Sequence, residues 1–395
     1  MSLDVSNKQG MIKGREVSNQ KLYVHALDGL RGLAVLMVFL SHTSLSGHRA
    51  LPFVNFAGTG KMGVFLFFIL SSFLLTYPFL IKQEQSFKRN ALINFSYRRF
   101  FRIYPLFVLY LCVALVTSYV LPNFLNRPVS GIPFYLTPFE FLQHVLLQQG
   151  KGVTWSILVE FRYYFVLPLL AYVYAVLFRG DFWKSLLCTI GLIGLSQWWL
   201  PQSEALNNDT RLLPYAPVML TGTMLAVFQY NYKTRWVIPV WAPKVQAVLG
   251  WLAMGLLLLS VPSVWYMVVG GTTECTGSIE ALNPFLEQHC HKVFHHRFIE
   301  TSFLWGVVLL GAVNGQGRLQ RFFEWQPLRY LGWISFSFYL WHPCILMVLR
   351  NVTLPFPTEV VFWMMLGMTT VISHVSYKVI EVPSSKLKYR PRDKV

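Results

Sequence analysis

The sequence predicts an all-α fold, a polytopic integral membrane helical bundle of about ten transmembrane helices with both termini in the cytoplasm. Three observations carry this. Of the 395 residues, 54% are hydrophobic and only 13% charged, too apolar for a soluble enzyme of this length. Ten apolar runs are long enough to cross a bilayer, at about 26–44, 61–81, 102–122, 154–178, 182–201, 211–230, 245–268, 300–316, 332–350 and 358–380. Most of the 34 Lys and Arg lie in the N-terminal tail, the alternate connections and the C-terminal tail, which the positive-inside rule assigns to the cytoplasm.

The formal net charge of +17 does not point to nucleic acid, because apolar runs separate the basic residues instead of leaving them on one soluble face. Residues 1–25 read as a cytoplasmic arm, 26–380 as one membrane domain and 381–395 as a basic cytoplasmic tail. There is no internal repeat and no low-complexity tract. The first apolar run follows a polar arm and lacks a small-residue cleavage signature, so it is expected to stay as a span and not to be removed as a signal peptide. Between Pro122 and Trp155, "FYLTPFEFLQHVLLQQGKG" is apolar but short and broken by proline. It reads as an interfacial or re-entrant segment over the outer face. "TECTGSIEALNPFLEQHCHKVFHHRF" is expected outside, where Cys275 and Cys290 either form a disulfide or remain free thiols. Its His289, His291, His295 and His296 fit no zinc spacing, so no metal is expected.

Four groups of polar residues interrupt the apolar runs. In "LDGLRGLAVLMVFLSHTSL", Arg31 and His42 are eleven residues apart, hence nearly on one helix face and about 16 Å apart along the axis. An arginine at the centre of a span costs roughly 2.5–3.5 kcal/mol, less near the interface, so its presence calls for a function or a partner. In "NFSYRRFFRIYP", Arg99 and Arg102 share a face on which two guanidiniums suit phosphate oxygens, or else meet anionic lipid headgroups. In "TWSILVEFRYYFVLPLL", Glu160 and Arg162 point about 160° apart, so each needs a partner elsewhere. Arg31 is the expected partner of Glu160, as a structural pair or as part of a site. In "SFSFYLWHPCIL", His342 beside Pro343 either lines a cavity or forms an interfacial pair with Trp341.

Taken in order, "LDGLRG" with its apolar run to His42, "FFILSSFLL", "RRFFRIYP", "WSILVE" with "YYF", "FSFYLWHP" and "SYKVIEVP" resemble the membrane acyltransferase 3 family, from about Leu27 to Pro383. The resemblance implies a multi-pass enzyme of the bacterial inner membrane. Such an enzyme moves an acyl group, usually acetyl, from cytoplasmic acyl-CoA to a hydroxyl of an envelope glycan such as lipopolysaccharide, peptidoglycan or exopolysaccharide, or of a lipid-linked sugar. It further implies that Arg31 and His42 are functional, that Arg99 and Arg102 are the paired arginines of the family's cytoplasmic motif, and that Trp155, Ser156 and Glu160 form its Trp-Ser…Glu motif. Two positions depart from the pattern: Ser71-Ser72 stands where Ser-Gly is common, and Phe65 where a polar or acidic residue is frequent. No fused hydrolase-like domain is read in these 395 residues, so the stand-alone type is the expectation.

On this reading acetyl-CoA is the cosubstrate. Arg99 and Arg102 hold its phosphates at the inner mouth, and Arg31 guides the carrier or holds Glu160. His42 acts as general base on the acceptor hydroxyl or carries the acyl group itself. Glu160 either pairs with Arg31 or orients His42, while Trp155, Ser156 and His342 line the substrate pocket. A transporter or flippase of an anionic or lipid-linked substrate would also explain intramembrane charges, but many such folds carry repeats. A non-catalytic scaffold leaves the same-face Arg31 and His42 unexplained.

Overall fold

The computed structural model describes residues 24–51, 53–125, 131–269, 297–350, 352 and 355–387. Cys275, Cys290 and the four histidines of the 273–298 segment lie outside the described residues. Among the described residues the regular structure is helical, as backbone groups in an apolar solvent require. The α-helices are α1 His25–Leu45, α2 Gly60–Lys82, α3 Arg89–Leu125, α4 Pro138–Val145, α5 Thr154–Tyr172, α6 Phe182–Trp199, α7 Ala216–Thr234, α8 Ala242–Leu259, α9 Pro262–Val269, α10 Phe298–Asn314, α11 Arg318–Glu324, α12 Gln326–Trp333, α13 Ser335–Arg350, α14 Thr358–Ser376 and α15 Val382–Ser385.

Each apolar run of the sequence overlaps a long helix, but among the described residues six helices are long and apolar enough to cross a membrane. The number rises to eight when α10 with α11, bent by 92°, and α12 with α13, bent by 81°, each count as one broken span. Helices α6 and α7 fall outside that set. The first carries Trp183, Gln197, Trp198 and Trp199 at its ends and the second closes on Asn231, Tyr232 and Lys233, residues suited to a membrane interface rather than to hydrocarbon. Exposed Leu187 and Leu195 on α6, Leu252 on α8, and Trp363 and Val375 on α14 give the bundle an apolar outer surface.

Close packing comes from missing Cβ atoms. A Cβ on Gly29 would lie 1.8 Å from the Phe323 carbonyl oxygen, one on Gly32 1.9 Å from that of Leu328, and one on Gly332 1.8 Å from that of Asp28. Helix α1 therefore touches α11 and α12 backbone to backbone, with Arg31 between its two glycines. Helices α2 and α7 meet the same way. A Cβ on Gly222 would lie 2.4 Å from the Ile69 carbonyl oxygen and 2.8 Å from the Ser72 Cβ. The small residue that "SS" lacks in the second run is thus supplied by the facing helix, and the Ser72 hydroxyl folds back to donate to the Phe68 carbonyl at 2.7 Å. Phe65 packs in the core with Phe298 and Tyr215, ring centroids 4.6 and 6.4 Å away.

The segment before α5 is tied to α3 at two heights. Ile132 N–H donates to Thr117 Oγ1 at 2.8 Å and Leu136 N–H to Ser118 Oγ at 2.9 Å, whereas Tyr104 O–H donates to the Val145 carbonyl at 2.9 Å. Thirteen residues of helix rise separate Thr117 from Tyr104, about 20 Å, so the segment runs alongside α3 over that length. A capping box between Thr137 and Glu140 starts α4. At the other end of the chain Glu381 accepts the Ser337 N–H at 2.9 Å and the Ser337 hydroxyl, satisfying an otherwise unpaired donor in the first turn of α13.

The glycine contacts predict a sharp contrast. Gly332→Ala should lower stability in detergent by about 1–3 kcal/mol or more, because the methyl group has nowhere to go. Gly194→Ala on α6, where a Cβ would meet nothing within 4 Å, should be neutral or slightly stabilising. Thermal unfolding of the two variants side by side checks this.

Candidate active site

Arg31 finds its carboxylate one turn away on its own helix. Its Nη1 lies 3.6 Å from Asp28 Oδ1, and Asp28 Oδ2 accepts the Trp333 indole N–H at 3.1 Å. The expected Arg31–Glu160 ion pair is not formed, nor does Glu160 hold His42. Glu160 Oε1 instead accepts the Ser71 hydroxyl at 2.6 Å and the Tyr164 hydroxyl at 2.5 Å. An i,i+3 acid met the cation locally, and two hydroxyls satisfied the carboxylate, so neither needed the other. Arg162, which also called for a distant partner, donates to a backbone carbonyl, that of Thr210.

Arg31, Arg99, Arg102 and Glu160 nevertheless line one cavity of about 110 Å³, together with Ser71, Tyr164, Ser156 and Tyr339. With Asp28 beside Arg31 and Glu160 in the wall, the three guanidiniums still leave a net positive charge there. Arg99 and Arg102 share this cavity because they are three residues apart on α3, one face of the helix.

His42 belongs to the other end. It lines a cavity of about 680 Å³ with Lys61, Lys151, Trp155, Asn207 and Tyr339, and a neighbouring one of about 580 Å³ with Ser46, Leu346 and Arg350. Val64 and Tyr339 line both the 110 Å³ and the 680 Å³ cavities, so a single layer of side chains separates them. Consecutive residues of α5 serve the two sides. Trp155 faces the larger cavity and stacks on Tyr215 with centroids 5.2 Å apart. Ser156 faces the smaller one, its Oγ 2.8 Å from the Tyr339 hydroxyl, which also donates to the Val153 carbonyl at 2.9 Å.

His342 lines none of these three cavities and is not interfacial; it is fully buried, 0% exposed. Its Nε2 lies 2.7 Å from His42 Nδ1. The same helix, α13, places Tyr339 on the wall of the first two cavities. Sequence reading missed Tyr339, although it stands one turn before His342 on the same face. It also missed Lys61, whose ammonium donates to the Ala205 and Leu206 carbonyls, both at 2.8 Å, and lies 5.9 Å from the Trp155 and Phe298 ring centroids. A lysine at the start of an apolar run normally marks only the interface, so nothing local distinguishes it.

Residues 24–377 match a family described as an acyltransferase domain. The chain is 25% identical over 399 aligned residues to the peptidoglycan O-acetyltransferase OatA of Listeria monocytogenes, covering 94% of this chain and 57% of that protein. It is 22% identical to the O-acetyltransferase OatA of Staphylococcus aureus, covering 93% and 58%. It is 24% identical to a Bacillus subtilis protein named as putative peptidoglycan O-acetyltransferase YrhL, covering 91% and 55%. The chain thus spans little more than half the length of these relatives. No solved structure matches it.

The rearranged ion pairing can be measured. In detergent, a double-mutant cycle of Asp28→Asn with Arg31→Gln should show a stability coupling of about 0.5–3 kcal/mol, as for residues in contact. The corresponding cycle of Arg31→Gln with Glu160→Gln should be closer to additive, since no direct contact links the pair.

Proposed function

Because the chain belongs to the acyltransferase domain family, we propose that it is a membrane O-acetyltransferase that moves an acetyl group from acetyl-CoA to a hydroxyl of a cell-envelope glycan. The observation that carries this is the adjacency of an arginine-lined cavity and a histidine-bearing one across the layer made by Val64 and Tyr339. Of the relatives named above, the Listeria protein is named as a peptidoglycan O-acetyltransferase and the Bacillus protein as a putative one, so peptidoglycan is the acceptor to test first, ahead of lipopolysaccharide, exopolysaccharide or a lipid-linked sugar. The proposal includes ten spans, both termini in the cytoplasm and an inner-membrane location. The arginine mouth then faces the side on which acyl-CoA is found.

Arg99, Arg102 and Arg31 are suited to phosphate, since guanidiniums donate bidentately to its oxygens. An apolar cavity of about 150 Å³ holds one benzene ring. The 110 Å³ of the arginine cavity therefore admits a short acyl thioester, while the nucleotide has to rest at the basic mouth. Acetyl fits this better than a long chain. The thioester then reaches toward Tyr339, and the glycan hydroxyl enters the larger cavity from the opposite end.

His42 is the general base of the transfer. Its ring nitrogen takes the proton from the acceptor hydroxyl as the oxygen attacks the thioester carbonyl carbon. Collapse of the tetrahedral intermediate breaks the C–S bond, and the departing thiolate recovers the proton from His42. Lys61 uses two of its three N–H donors on loop carbonyls, which keeps that loop folded over the acceptor cavity. Glu160 has a supporting role through Ser71 and Tyr164, not through the histidine.

Purified chain in lipid nanodiscs, given radiolabelled acetyl-CoA and peptidoglycan fragments, should transfer label to glycan hydroxyls; release of label to water alone, or none, would overturn the proposal. His42→Gln should lower turnover by about 10²–10⁴-fold while the protein stays folded, and near-normal turnover would remove His42 from the role of base. Arg99→Gln with Arg102→Gln should raise KM for acetyl-CoA by about tenfold or more without changing acceptor preference, and lysines there should restore it only in part.

A further inference from the structure

His342 is fully buried and lines none of the three cavities described above, yet it makes a short bond to His42, which lines two of them. The hydrogens on this pair follow from what each nitrogen faces. His342 Nδ1 lies 3.3 Å from the Phe338 carbonyl oxygen, which can only accept, so this nitrogen carries the ring hydrogen. A neutral imidazole has one such hydrogen, which leaves His342 Nε2 as an acceptor. His42 Nδ1, 2.7 Å away, must then be the donor. The ring centroids are 5.0 Å apart and the planes inclined by 18°, so the bond runs close to the plane of both rings, as a ring N–H to ring nitrogen bond requires. The remaining nitrogen of His42, Nε2, keeps its lone pair.

We propose that His342 is a positioning residue that holds His42 in the Nδ1–H form and so aims an unprotonated Nε2 at the acceptor cavity. This rests on the reading of His42 as the base. When Nε2 takes the acceptor's proton, the Nδ1–H bond to His342 becomes charge-assisted and strengthens, while His342 itself stays neutral. The arrangement parallels the orienting partner of a hydrolase histidine, with a neutral ring in place of a carboxylate. No second negative charge is then needed beside a donor that is itself a polyanion. Phe338, Phe39 and Tyr339 keep the pair in place; the Phe39 ring meets both Phe338 and His342 edge-on, at 5.4 and 6.5 Å.

The test uses the full chain in nanodiscs with acetyl-CoA and peptidoglycan fragments, comparing the parent with His342→Gln and His342→Phe. A glutamine oxygen can still accept from His42 Nδ1; phenylalanine fills the space and cannot. Phenylalanine should lower kcat by about 10²-fold or more while KM for acetyl-CoA stays within about twofold, and glutamine should return kcat to within about tenfold of the parent. A phenylalanine variant with kcat within about threefold of the parent, or a glutamine variant as impaired as phenylalanine, would overturn the proposal. ¹⁵N spectra of His42 in the parent give a readout that does not depend on turnover or on the variants folding. Nδ1 protonated and Nε2 bare is the expected result, and the reverse tautomer would sink the pairing. Near-normal turnover of His42→Gln, by contrast, would overturn the role of His42 as base and with it the positioning role of His342, whatever tautomer the spectrum shows.

Discussion

Three glycines let helix α1 lie against α11 and α12 at carbonyl distance, and the positions of the polar groups follow from that contact. With Gly29, Gly32 and Gly332 bearing no side chain, the turn that carries Asp28 and Arg31 is pressed to the Trp333 indole, which donates to the aspartate. A methyl group at any of the three would push the helices apart. Three turns further along the same rigid helix, His42 is delivered to His342 on α13. One close crossing thus sets the height of both the arginine and the histidine.

Inside this bundle several of the charged groups are satisfied close at hand. Asp28 neutralises Arg31, Ser71 and Tyr164 satisfy Glu160, and backbone carbonyls receive Lys61 and Arg162. Cross-bundle ion pairs bury two charges and repay the desolvation only with near-ideal geometry. Hydroxyls and carbonyls ask less, and they leave the arginine cavity with a surplus of positive charge available to a polyanionic ligand. That surplus is what distinguishes this wall from a purely structural one.

The two ends are chemically unlike. The arginine side is small and carries fixed cations, whereas the histidine side is roomy, with Trp155, Asn207 and two lysines on its wall. On the proposed function, a donor held by phosphate and an acceptor held by hydroxyl and ring contacts would therefore not compete for one space. Between the two cavities stand Val64 and Tyr339, whose hydroxyl is engaged with Ser156 and Val153.

Local periodicity was enough for the sequence alone to determine where the long helices lie, that Arg31 and His42 ride on one of them, and that Arg99 and Arg102 share a face. Each of these depends on spacing within a single helix, and helix geometry is the same wherever the helix is placed. What only the tertiary structure decided is which helices face each other and at what height. It turned Glu160 to hydroxyls instead of Arg31, set His342 behind His42 across 300 residues of sequence, put Lys61 on two carbonyls, and placed the arginines and His42 on separate cavities. Such contacts join residues from different helices, and no periodicity within either helix encodes the offset between them.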